Sequence, residues 1–103
     1  MAKLFVTYQQ PTDVKAFDAH YAEKHVPLVK AIPGLRGFEL SSGDVMGMAG
    51  KHAIYLVAVL EFDSVAAIQA ALATPQGQAA AGDLANFAGA GVDLLMSETK
   101  ILV

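Results

Sequence analysis

Apolar and polar residues alternate from Lys3 to Gln9, with Leu4, Val6 and Tyr8 on one side, Phe5 and Thr7 on the other, and Pro11 closing the run. A period of two predicts a first strand. Asp13 then stands where a helix N-cap is expected, and Val14, Phe17, Tyr21, Leu28 and Ile32 recur at helical spacing. Pro27 has no amide hydrogen to give the carbonyl of Glu23, which predicts a kink before the helix ends at Pro33-Gly34. Leu35 to Ser42 reads as a second strand. Ser41 to Lys51, rich in Gly and carrying Met46 and Met48, reads as a mobile hairpin connection. His52 to Phe62 is a third strand. Asp63 is the expected cap of a short helix with Val65, Ile68 and Leu72 on one face, and Thr74-Pro75 opens another, because Pro suits the first helical position. Gly89 and Gly91 end that helix, and Val92 to Val103 reads as a long final strand.

The order is βαββαβ. Two right-handed β-α-β crossovers in one small domain give a four-stranded antiparallel sheet with helices on a single side, an α+β, ferredoxin-like arrangement. The third strand is apolar on both faces: Ile54, Leu56, Leu60 and Phe62 on one, Tyr55, Val57 and Val59 on the other. Helices can cover only one of them. Leaving the other three side chains in water forgoes roughly 1.5–3 kcal/mol each, which is large beside a typical net stability of about 5–15 kcal/mol. A second copy of the chain is the expected cover, the two sheets packing face to face as a symmetric dimeric barrel. On this reading the paired sheets enclose a dry chamber beside His25.

Composition narrows the classes. The 103 residues make one domain, 1–103, and 54% of them are hydrophobic. The longest wholly apolar run, Ala53 to Leu60, falls far short of the ~18 residues needed to span a bilayer, so no membrane partner is expected. No signal-peptide pattern opens the chain, which predicts a cytoplasmic protein. Without cysteine there is no disulfide, thiolate metal site or thiol nucleophile. A net charge of −3 with Arg36 as the only arginine lacks the footprint of a nucleic-acid binder. No Ser-centred elbow, Walker loop or dinucleotide fingerprint is present, so no cofactor is expected.

Chemistry concentrates on the first helix. On a wheel turning about 100° per residue, His25 lies within about 20° of the centre of the apolar stripe, so a titratable ring faces inward. Tyr21, one turn earlier, is its expected orienting partner. Together they form a candidate acid-base pair, with a histidine pinned to a backbone carbonyl as the structural alternative. His20 lies about 140° from His25 on the same wheel, so a shared metal ion is not expected. Asp83 sits one turn before Phe87 and is placed either to hold loop backbone or to reach His25. Arg36 can bind a carboxylate bidentately, and the hydroxyls of Tyr8 and Tyr55 can line a cavity. Met46 and Met48 are candidates for a lid over an apolar ligand.

The runs Tyr8-Gln-Gln-Pro-x-Asp, Phe17-Asp-x-His-Tyr-x-x-x-His25-x-Pro-Leu and Ile32-Pro-Gly-Leu-Arg resemble the N-terminal half of the EthD family. Thr74-Pro-x-Gly-Gln-x-x-x-x-Asp83-Leu-Ala-Asn-Phe87 resembles its C-terminal half. That resemblance implies a dimeric α+β barrel from a catabolic gene cluster, associated with oxidoreductase systems such as the cytochrome P450 monooxygenase of ethyl tert-butyl ether degradation. Taken with the residue chemistry above, the catalytic candidates are His25 and Tyr21, and the candidate substrate contacts are Tyr8, Arg36, Tyr55, Asp83 and Phe87. Three roles follow: a pathway protein that binds a small apolar compound near His25, a cofactor-independent isomerase, decarboxylase or cyclase with His25 as general acid/base, and a non-catalytic dimerisation module.

Overall fold

Alternating burial along the first strand sets the architecture. In the computed structural model, which describes residues 1–103, β1 (Ala2–Gln9) turns Ala2, Leu4, Val6 and Tyr8 inward and leaves Lys3, Phe5, Thr7 and Gln9 partly covered. With β2 (Gly37–Leu40), β3 (Ile54–Phe62) and β4 (Val92–Glu98) it forms one antiparallel sheet of order β2-β3-β1-β4. Val6 stands opposite Ala58 and Leu94, so the inward face continues through Ala58, Leu60 and Phe62. Against it pack Phe17, Val29, Ile68, Ala71 and Ala80 from the helices α1 (Val14–His20), α2 (Val26–Lys30), α3 (Val65–Leu72) and α4 (Pro75–Phe87), with Tyr21 from the turn between α1 and α2 and Ile32 from the turn after α2. Phe5 stands opposite Val59 and Leu95 on the other face, where no element of the chain covers them.

Local chemistry accounts for most boundaries. Asp13 caps α1 through the amide of Ala16 at 3.0 Å, and the Thr74 hydroxyl accepts from the Gly77 amide at 3.1 Å with Pro75 opening α4. Gly77 also lets α4 lie on the end of α3: a Cβ there would fall 2.7 Å from the Leu72 Cα and run into the Ala71 carbonyl oxygen. Gly34 takes φ of +83° in the turn after α2, a conformation that favours glycine.

Three sequence expectations need correction. The last strand stops at Glu98, not Val103: Glu98 pairs with Ala2 at the start of β1, so beyond the Thr99 amide's bond to the Met1 carbonyl no neighbour remains to extend the ladder. Ile101, Leu102 and Val103 therefore lie exposed. The cap of α3 is Ser64, whose hydroxyl accepts from the Ala67 amide at 3.0 Å, while Asp63 turns to Arg36. The first helix is not simply kinked at Pro27. It widens into a π turn over Tyr21–His25, in which the Val26 amide reaches back five residues to the Tyr21 carbonyl, and α2 restarts with Pro27 in its first turn.

Candidate functional site

The π turn decides which side chains meet. In an α-helix residues five apart point in widely different directions, but a turn closed five residues back brings His20 and His25 onto one side. Both reach Asp83 on α4. The His25 ring donates from Nδ1 to Asp83 Oδ2 at 3.0 Å, and His20 donates from Nε2 to Oδ1 at 2.9 Å and Oδ2 at 3.0 Å. The Asn86 amide, one turn along α4, donates to Oδ1 at 2.9 Å. A carboxylate only accepts, so each ring carries a hydrogen on the nitrogen that faces it. Nε2 of His25 is left with its lone pair, 3.5 Å from the hydroxyl of Tyr8, a contact at the outer limit of hydrogen bonding.

Electrostatics follows from depth. Burial pushes the His25 imidazole below its ordinary value, and the hydrogen bond and charge of Asp83 pull the other way without overcoming it. His25 is therefore a neutral base at pH 7. Burial opposes the Asp83 carboxylate too, but the hydrogen bonds from Asn86, His20 and His25 outweigh it and hold its carboxyl below the usual range. Tyr8 is raised by burial and by the nearby Tyr21 and Asp83, and Tyr21 is pushed up to about 12, mainly by burial. Both stay protonated phenols that can donate. The arrangement is a hydroxyl, an imidazole and a carboxylate in line, the carboxylate fixing the tautomer of the ring between.

Phe87 holds the rings in place. Its centroid lies 4.7 Å from that of His25 and 5.1 Å from that of His20, where the planes are nearly parallel, and it also meets Tyr8, Phe17 and Tyr21. Tyr21 packs on His25 at 5.2 Å. Beside these rings is a cavity of about 40 Å³, lined from the sheet by Leu4, Val6, Ala58, Leu60 and Leu94 and from the helix side by residues that include Tyr21, His25, Val29, Leu72 and Leu84. Its size suits roughly two or three waters. Tyr8, Tyr21 and His25 are its polar members.

The structure thus brings together five of the seven candidates: Tyr8, Tyr21, His25, Asp83 and Phe87. Tyr21 does not take the place expected of it, because the hydroxyl nearest His25 is that of Tyr8. Asp83 reaches His25 rather than loop backbone. Arg36 is elsewhere, in an exposed two-point pair with Asp63 at 3.1 and 3.2 Å. Tyr55 donates to Asp18 at 2.8 Å and packs edge-on against Phe17, so it meets α1 rather than joining Val57 and Val59 on the open face as expected. Met46 and Met48 stand in solvent, away from the cavity. The expected chamber between two sheets is not where His25 lies, since the ring and its cavity are on the helix side of a sheet that separates them from the open face. His20 and Asn86 were missed as members of the site. Pro27 closing a helix behind two histidines five apart, and Asn three residues after Asp83, were the available signals.

Comparison with known proteins gives the family and the fold. A family model described as the EthD domain matches residues 9–91. An uncharacterized 11.0 kDa protein in the thcB–thcC intergenic region of Rhodococcus erythropolis is 39% identical over 103 residues, covering 100% of this chain and 99% of that protein. The crystal structure of an ethyl tert-butyl ether d (EthD) family protein from Bacillus halodurans superposes with a TM-score of 0.87 at 36% identity, over 97% of this chain and 99% of that one. A dimeric protein of ferredoxin-like fold from Bacteroides fragilis shares the fold at 19% identity, with a TM-score of 0.65 over 95% of each chain.

Proposed function

The chain belongs to the EthD family, and on that premise we propose that it binds a small apolar organic compound beside His25 and moves a proton on it without a cofactor. One observation carries this reading: Asp83 accepts the Nδ1 hydrogen of a buried, neutral His25, so the lone pair of Nε2 is directed at Tyr8 beside the cavity. A base so oriented suits removal of a hydrogen from carbon next to a carbonyl or lactone group. The Tyr8 hydroxyl, a neutral donor, would bond the oxygen as negative charge grows there, with Tyr21 as a second phenol on the same wall. General acid-base action of this kind is worth about 10²–10⁴ in rate. The apolar lining selects for hydrocarbon around the reacting group.

The working unit in this proposal is a homodimer. Phe5, Val59 and Leu95 form the centre of the open sheet face, and the dimeric ferredoxin-like relative supports covering it with a second copy. The proposed setting is a catabolic pathway beside an oxidoreductase, in keeping with the family and with a relative situated between thcB and thcC.

The test is hydrogen exchange at carbon. Small apolar ketones and lactones are incubated with the protein in D2O, and deuterium uptake next to the carbonyl is followed by NMR. Wild type accelerates uptake, and His25→Ala abolishes it while keeping the fold. Tight binding by calorimetry with no exchange or product would overturn the catalytic reading and leave a binding protein.

A further inference from the structure

His20 has no part in the acid-base scheme just described, yet it is the one side chain that contacts both oxygens of the carboxylate that orients the base. Its Nε2 hydrogen lies between both Asp83 oxygens, at 2.9 and 3.0 Å, while His25 Nδ1 holds only Oδ2. The ring is fixed from behind by Phe87, with planes 22° apart. Unlike His25, the side chain is about a quarter exposed and lines a surface groove with Asp13, Phe17 and Asn86. Two imidazoles, one buried and one facing solvent, thus draw on one carboxylate.

We propose that His20 is a positioning residue: by sharing the Asp83 carboxylate it sets how strong a base His25 presents to the cavity. The inference rests on the proposed role of His25 as base but is measured without substrate. A donor that occupies both oxygens spreads the negative charge of Asp83 and leaves less of it to stabilise a proton on His25. Any positive charge on His20 acts across the carboxylate in the same direction. The groups facing His20 are Asp83 from α4, with Asn86 beside it, Asp13 from the turn before α1, and His25 across the carboxylate. Removing the N–H of His20 should therefore make His25 easier to protonate, although nothing in contact with the cavity has changed.

The test is the ring titration of His25 followed by ¹H–¹⁵N NMR in wild type, His20→Phe and His20→Gln. Phe keeps the stack on Phe87 and removes the donor, and Gln supplies a neutral N–H. The expected result is a threefold or greater rise in the His25 protonation constant for Phe, a smaller rise for Gln, and an Nδ1–H tautomer retained in both. Titration curves that coincide in all three folded proteins overturn the proposal and reduce His20 to packing. If the Phe variant does not fold, the Gln variant decides alone, an unchanged constant counting against the proposal. Failure of the deuterium-exchange assay with a normal His20 effect would instead refute the catalytic reading only.

Discussion

Replacing Asp83 by Asn tests the centre of the site with a change of almost no volume. Three donors converge on the carboxylate, the rings of His20 and His25 and the Asn86 amide. The amide retains one acceptor oxygen. If that oxygen keeps the two donors now at Oδ1, the new NH2 meets the Nδ1 hydrogen of His25 head-on. The ring must then give up that tautomer and carry its hydrogen on Nε2, toward Tyr8, which ends its use as a base. One hydrogen bond to a charged acceptor, about 1.5–3 kcal/mol, is lost outright, and the other two weaken by about half as charge assistance goes. A neutral amide costs less to bury than a carboxylate, which returns part of this, so the net destabilisation is about 2–3 kcal/mol. For a domain of this size that lowers the melting point by about 10–20 °C. Circular dichroism melts at pH 7.5 and ring ¹⁵N shifts read the two effects separately. A melting point equal to wild type, with His25 still protonated at Nδ1, would refute the account of Asp83 as the shared acceptor.

Other perturbations address other parts of the molecule. Both His25 and Asp83 are shifted down, so on acidification the unfolded chain binds protons before the folded one does; stability should be level from pH of about 6.5 up to the range where free tyrosine ionises, fall below about 6.5 as His25 resists protonation, and fall again below pH of about 4, with His25→Gln removing the first acid decline in a series of melts. Gly77→Ala forces a methyl into the Ala71 carbonyl and the Leu72 Cα, and should cost about 3 kcal/mol in urea unfolding, an overpacking effect absent from Gly82→Ala, where nothing lies near. Phe5→Glu buries a charge at the centre of the proposed dimer face and should convert dimer to monomer in sedimentation equilibrium without loss of helical signal. Deleting Glu23 removes the extra residue of the π turn and returns Val14–Lys30 to α-helical spacing; His20 then swings away from Asp83, and its ring signals should lose their coupling to Asp83→Asn.

The fold was legible because its signals are local and consistent. A period-two run marked β1 and an unbroken apolar run marked β3, caps at Asp13 and Thr74 marked helices, and two crossovers left one sheet order. Misreadings arose where partners distant in sequence choose between equivalent residues. Asp63 and Ser64 are both good caps, and only Arg36 across the strand register draws Asp63 away. Val92 to Val103 carries apolar residues at both its ends, yet strand length is set by where β1 begins. For the site, His25 was readable from the wheel as a buried ring, and Asp83 as a polar group on an alanine-rich helix. His20 was not, because a wheel assumes one constant turn and the π segment breaks that assumption for the very pair it brings together.

The sheet also separates two demands that the sequence reading had merged. Association was expected to build the chamber, so that a lost dimer would mean a lost site. In the structure neighbouring residues of β1 serve opposite sides: Leu4, Val6 and Tyr8 wall the cavity and meet His25, while Phe5 and Thr7 face outward with Val57, Val59 and Leu95. Substitutions along this strand should therefore alternate in kind. Tyr8→Phe removes the hydroxyl beside His25 Nε2 and should reduce carbon-hydrogen exchange while leaving the sedimentation behaviour as it is. Phe5→Glu should do the reverse, giving a monomer whose His25 titrates as in the parent. A Phe5→Glu monomer that lost the His25–Asp83 bond, seen as a changed tautomer by NMR, would mean that the open face supports the site after all, and the division of labour across the sheet would have to be abandoned.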